Sequence, residues 1–218
     1  MSEAPRRFQF YGRRKGRALR RHHLQLMQEL LPKLRVDLAD PLAGTGEPRW
    51  LEIGFGGGEH LAHLAALHRE VSFIGAEPFV NGVAKLLAAI EEGRLGNIRI
   101  HDGDARYLLE ALPKASLERI YLLCPDPWPK TRHHKRRFVN AANIAQFHRI
   151  LKPDGLFLFA SDSADYVDWT RQHIAAHGGF REDGDAAQPF ENWTETRYEA
   201  KARREGRVPA YVTFRRPA

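Results

Sequence analysis

The chain has 218 residues, which suits one large α/β domain, and 43% of them are hydrophobic, enough for a sizeable core. A single cysteine, Cys124, excludes a disulfide framework and fits a reducing, cytoplasmic setting, and no apolar run approaches the roughly 18 residues of a membrane span. Lys and Arg outnumber Asp and Glu 34 to 27, a net charge of +7, so the location of that excess matters. Taken in order, residues 1–16 read as a flexible basic arm and residues 17–218 as a single domain. Arg6, Arg7, Arg13, Arg14, Lys15, Arg17, Arg20 and Arg21 fall in one stretch that holds no acid. Such a patch implies either a solvated tail or a polyanionic partner bound through phosphates. Phe8, Phe10 and Tyr11 within it could stack on bases or dock the arm on the body. Leu24, Met27, Leu31 and Leu34 then predict an amphipathic helix over 18–34, and the Pro- and Gly-rich residues 37–48 a loop.

Trp50 to His60, WLEIGFGGGEH, predicts a buried strand ending at Ile53, a glycine turn, and a helix carrying Leu61, Leu64 and Ala65. This is the first βα unit of a doubly wound sheet. The dinucleotide fingerprint requires a third glycine at position 59, and Glu59 stands there. The spacing is E-x-G-x-G-x-G, from Glu52 through Gly54 and Gly56 to Gly58. An acid on the strand end with alternate glycines suits a cationic amino-acid ligand better than a pyrophosphate, which Glu52 and Glu59 would repel. The motif resembles the first motif of the S-adenosylmethionine-dependent methyltransferases.

Val71–Ala76 reads as the second strand, ending in Glu77, where such sheets hold ribose hydroxyls or cap the following helix. That helix carries Phe79, Val83, Leu86, Leu87 and Ile90 on one face. A third strand over 97–101 leads to Asp104, which reads equally as an N-cap or as a partner for an adenine amino group. Leu117–Cys124 is the fourth strand, and PDPWPKTRHHKRR follows it at residues 125–137. Pro125, Pro127 and Pro129 fix φ at alternate positions, so Asp126 and Trp128 are held stiffly at the crevice mouth. A carboxylate can accept the N1–H and N2–H of guanine, and the basic run beyond it suits phosphates. His60, His63 and His68 match metal spacing only loosely, and no metal is expected. Trp169 and Trp193 read as core or loop anchors.

GFGGGEHL, PDPWPK and RHHKRR together resemble the bacterial tRNA (guanine-N7-)-methyltransferases, and TRYEAKARREG from Thr196 resembles their T-x-x-E motif. The N-P-P-[YF] loop of enzymes that methylate exocyclic amino groups is replaced here by P-D-P-W. The resemblance implies a Rossmann-like class I methyltransferase fold, with a seven-stranded, mostly parallel sheet whose last strand is antiparallel and helices on both faces. A fifth strand over 155–160, a helical face of Tyr166, Thr170, His173 and Ile174, and a last strand over 211–214 are compatible. It implies S-adenosylmethionine contacts at Glu52, Gly54, Gly56, Gly58, Glu77, Asp104 and Asp126, with Asp126 also the active-site residue. Lys130, Asp162, Thr196, Arg197, Tyr198 and Glu199 would hold the substrate, and Arg132, His133, His134, Lys135, Arg136 and Arg137 the RNA. The implied product is 7-methylguanosine at the variable-loop position 46 of tRNA. No obligatory protein partner is expected, and either a monomer or a homodimer. A methyltransferase of the same fold acting on another RNA or a small molecule stays the alternative.

Overall fold

Strands form where the short apolar runs fall. The computed structural model describes residues 8–194 and 197–218, and leaves out the side chains of residues 197, 198 and 201. The two N-terminal helices are Arg21–Glu29 (α1) and Leu31–Leu34 (α2). Next come Arg49–Ile53 (β1), Glu59–Leu67 (α3), Ser72–Ala76 (β2) and Val80–Gly93 (α4). Ile98–His101 (β3), Ala105–Ala111 (α5) and Leu117–Leu123 (β4) follow, then a 3-10 helix over Thr131–Arg136. Ala141–Ile150 (α6), Leu151–Ser161 (β5), Ala164–His177 (α7), Arg181–Asp183 (β6), Arg197–Arg204 (α8) and Ala210–Arg215 (β7) complete the chain.

The strands form one seven-stranded sheet in the order β3-β2-β1-β4-β5-β7-β6. β1 to β5 pair in parallel, and β7 runs against both of its neighbours. This is the expected sheet with an antiparallel last strand. The chain winds outward from β1 to β3 and then returns to lay β4 on the other side of β1. The carboxyl ends of β1 and β4 therefore flank the switch-point crevice, where ligands bind in such sheets.

Successive side chains of a strand point to opposite faces. Leu51 and Ile53 enter a core formed with α5, α6 and α7. Trp50 and Phe73 enter a second core formed with α1, α2, α3 and α4. The two cores sandwich the sheet.

One expectation needs correction, and two elements, α6 and β6, were not anticipated. The helix anticipated over 18–34 begins at Arg21 and breaks at Leu30, because Pro32 in the next turn has no N–H to continue the ladder. Its buried face is Leu26, Leu31 and Leu34, while Leu24 is 48% exposed. Helix α6 follows the basic run where the sequence reading placed no helix. Ile144, Phe147 and Ile150 fill the core from it, and the Asn140 side chain caps it by accepting from the Asn143 amide at 3.1 Å. β6 is three largely exposed residues on the sheet edge and has no apolar pattern to read.

Between β1 and α3 the turn adopts φ of 71°, 57° and 79° at Gly54, Gly56 and Gly58, values that a residue with a Cβ rarely takes. Helix α4 packs hard on this turn. A Cβ at Gly82 would lie 2.0 Å from the Gly56 carbonyl oxygen, which is backbone and cannot swing aside. Gly82→Ala is therefore expected to cost about 1–3 kcal/mol of unfolding free energy in urea denaturation. An unchanged midpoint would show that the turn does not depend on this close approach.

Candidate active site

A cavity of about 580 Å³ opens at the carboxyl ends of β1, β2 and β4, within the range of roughly 300–1,000 Å³ common for ligand pockets. Gly54 and Gly56 line it from the turn after β1, Glu77 from the end of β2, Asp104 from the start of α5, and Asp126 and Trp128 from the loop after β4. The two stretches singled out in the sequence thus meet in one space.

Glu77 is buried and doubly anchored. One of its oxygens accepts from the Gly56 amide at 2.8 Å and the other from the Phe79 amide at 2.9 Å. Phe79 is the residue preceding α4, so one carboxylate ties β2 to the glycine turn and to the helix start. Each oxygen keeps a second acceptor position for a hydroxyl donor. Asp104 caps α5 by accepting from the Arg106 amide at 3.1 Å and also pairs with the Arg106 guanidinium. The cap role is therefore present, and the carboxylate still borders the cavity. Asp126 is solvent-facing, and among the described residues no hydrogen-bond donor engages its carboxylate. It is an acceptor held ready on the cavity rim.

The basic arm forms another wall. Gln9 to Arg13 line the cavity. Arg106 donates to the Gln9 carbonyl at 2.9 Å, and Phe8 stands edge-on to Tyr107 at 5.1 Å. Further along, Val80 donates to the Arg14 carbonyl at 3.0 Å, and Asn81 bonds both Gly16 and Arg17. The sequence left stacking on bases and docking on the body both open for these aromatics; here Phe8 docks. Tyr11 instead stands edge-on to Trp128 at 6.3 Å, and the Arg136 guanidinium lies 4.9 Å from the Tyr11 ring and 4.8 Å from the Trp128 ring.

Strand alternation takes Glu52 elsewhere. Its carboxylate is buried on the α3 side, 2.7 Å from His60 Nδ1, and neither Glu52 nor Gly58 borders the cavity. Lys130 is exposed and Asp162 accepts from Arg207 at 2.6 Å; neither borders the cavity either. Arg197 and Tyr198 open α8, and Thr196 lies outside the described residues. Glu199 is buried, accepting from Trp193 at 2.7 Å, from Arg203 at 2.8 Å and from the Tyr211 hydroxyl. It fastens α8 to β7.

The basic run divides by exposure. Arg132 and Lys135 face solvent, with His133 half-buried beside them. His134 turns inward against Trp169, with ring centroids 5.3 Å apart. Arg137 is buried and bonded to the loop and to α7. The sequence carried no sign of this division, because six basic residues in a row look alike until a helix rotates them. Trp169 and Trp193 are anchors, donating to the Val139 carbonyl at 2.7 Å and to Glu199. Burial pushes the Cys124 thiol up to about 12, so it stays protonated and is no nucleophile near neutrality.

Residues 46–211 match the protein family described as "Putative methyltransferase". The tRNA (guanine-N(7)-)-methyltransferase of Agrobacterium fabrum is 52% identical over 94% of both chains. The protein of that name from Rhizobium meliloti is 51% identical over 95% of this chain and 94% of its own. Among solved structures, the 16S rRNA methyltransferase KamB aligns with a TM-score of 0.60 at 15% identity, over 81% of this chain and 91% of that one. The precorrin-6y C5,15-methyltransferase of Geobacter metallireducens aligns with 0.55 at 12% identity, over 80% and 84%. At such identities these two likenesses speak for the fold alone: the sheet is that of the class I methyltransferases.

Burial raises the Glu77 carboxyl above its usual value of 4.5, against the pull of its two amide partners. A carboxyl with a raised folded-state pKa binds more protons in the native state than in the unfolded one. Its contribution is thus most favourable below the ordinary carboxylate range and declines as pH rises through the raised value. The unfolding free energy of the wild type minus that of Glu77→Gln should therefore fall from about pH 4 to pH 7 in ligand-free protein. A difference that grows over this range would mean that the amide bonds outweigh the burial.

Proposed function

The chain belongs to the family of bacterial tRNA (guanine-N7-)-methyltransferases, and from that premise we propose how its cavity serves the reaction. It transfers a methyl group to N7 of guanine in tRNA, at the variable-loop position 46, giving 7-methylguanosine and S-adenosylhomocysteine. A tRNA substrate puts the reaction in the cytoplasm, and among the described residues no helix is long and apolar enough to cross a membrane.

The residues of the cavity fit S-adenosylmethionine. The glycine turn lets a ligand approach the backbone: Gly54 has open space where a Cβ would point. Glu77 keeps acceptor positions for vicinal hydroxyls, and the carboxylates of Glu77, Asp104 and Asp126 bias the rim toward a cation. When bound, the cofactor supplies an electrophilic methyl on a sulfonium. Gly54, Gly56 and Glu77 would hold it, with Asp104 beside them.

Guanine N7 carries a free lone pair and no proton, so no side chain has to create the nucleophile. The methylated ring is cationic. Asp126 faces the cavity with its acceptor positions open and would receive N1–H and N2–H while stabilising the developing positive charge. Trp128 and Arg136 offer flat surfaces beside it, and holding N7 in line supplies the remainder of the acceleration. Arg132, Lys135 and the arm residues Arg13 to Arg17 are exposed around this mouth and would take backbone phosphates.

The observation that carries this reading is the joint lining of one cavity by the glycine turn, Glu77 and Asp126. The test is transfer of labelled methyl to unmodified tRNA, mapped by chain cleavage at 7-methylguanine. Cleavage at the variable-loop guanine is expected; methylation only of other positions or of small molecules contradicts it. Asp126→Asn should lower kcat by about 10²-fold or more, and a variant with full activity refutes the role given to Asp126.

A further inference from the structure

Arg137 ends the basic run, yet it is only 2% exposed. Two of its nitrogens and the plane of its guanidinium are engaged inside the protein. Nε donates to the carbonyl of Pro127, the residue between Asp126 and Trp128, at 2.9 Å. Nη2 donates to Asp165 in the first turn of α7. The guanidinium plane lies 4.9 Å from the Tyr166 ring and 5.0 Å from the Trp169 ring. A phosphate outside the protein cannot reach it.

The loop it grips needs holding. Cys124 and Trp128 flank Asp126 with φ of 47° and 44°, a region unfavourable for residues that carry a Cβ. Such backbone persists only where its surroundings over-determine it. The Cys124 amide is bonded to Ala160 at 2.8 Å, which fixes the strand side. On the other side Trp128 meets Arg136, Tyr11 and His133 through its ring, and the hydrogen bond to the loop backbone is the one from Arg137 to Pro127. Arg137 Nη1 is buried and has no hydrogen-bond partner. A buried donor left unpaired is unfavourable, so stability alone is a poor reason for an arginine here.

Resting on the reading of Asp126 given above, we infer that Arg137 is a positioning residue: it fixes the Asp126–Trp128 lip to α7 and serves catalysis through Asp126, not through RNA phosphates. Only a guanidinium meets a carbonyl, a carboxylate and two ring faces at once. A lysine keeps the charge and loses the fork.

The experiment measures kcat, KM for tRNA, and tRNA affinity at several salt concentrations for the wild type, Arg137→Lys, Asp126→Asn and the double variant. Arg137→Lys is expected to lower kcat by roughly 10²-fold. Its tRNA affinity should stay within about twofold of wild type with the same salt slope, because no phosphate contact is lost. In the Asp126→Asn background the same change should cost less than about threefold, since residues acting as a unit are not additive. Asp165→Asn tests the inference without touching the arginine, so it stands even if Arg137→Lys fails to fold. It should lower kcat several-fold in the wild-type background and leave tRNA affinity unchanged. Full kcat in Arg137→Lys or in Asp165→Asn, an undiminished loss in the double variant, or a flattened salt slope overturns the inference. A wild-type enzyme without methyl transfer to tRNA overturns the functional reading itself, which is a separate outcome.

Discussion

The carboxylate of Glu77 is the joint on which the site depends. It is buried, and it spends its two oxygens on the amides of Gly56 and Phe79. That single group sets the end of β2, the glycine turn after β1 and the start of α4 relative to one another. Burial opposes its ionised form, and the two amides offset part of that cost. The cavity floor is therefore made before any ligand arrives, which reduces the ordering that binding requires.

The lip opposite is stiff for a different reason. Three prolines restrict the loop after β4, two residues in it have positive φ, and Arg137 draws its middle carbonyl toward α7. Floor and lip hang from adjacent strands, β1 and β4, so the twist of the sheet sets their spacing. The arm closes the third side, where Tyr11, Trp128 and Arg136 meet in one mutual cluster. Exposed basic residues of the arm and of the 3-10 helix then surround the opening. An acidic floor inside a basic rim suits a cationic donor bound deep and a polyanion bound across the top.

Much of this was legible in the residues. Alternate glycines after an apolar run, an acid at the next strand end and a proline-locked aspartate are local signals, and local signals survive into the fold. What was hidden depends on rotation and on partners distant in sequence. Glu52 faces the α3 side because it alternates with Leu51 and Ile53, and His60 meets it there. His134 and Arg137 turn inward because a 3-10 helix rotates them away from Arg132 and Lys135. Helix α6 is hard to read from the residues because it follows a run dominated by charge and its large apolar positions, Ile144, Phe147 and Ile150, span less than two turns. The arm offered aromatic residues, and only the folded chain shows that Arg106 and Asn81 receive it.

The account's central claim is that one cavity brings a sulfonium donor and the imidazole edge of guanine together between Glu77 and Asp126. A structure of the protein with S-adenosylhomocysteine and substrate tRNA tests it most directly. The account predicts the cofactor ribose on Glu77, the guanine edge on Asp126, and N7 aimed at the sulfur with room for one methyl, roughly 3–3.5 Å from its carbon. A cofactor bound away from the glycine turn, or a guanine that reaches the sulfur without approaching Asp126, would contradict it.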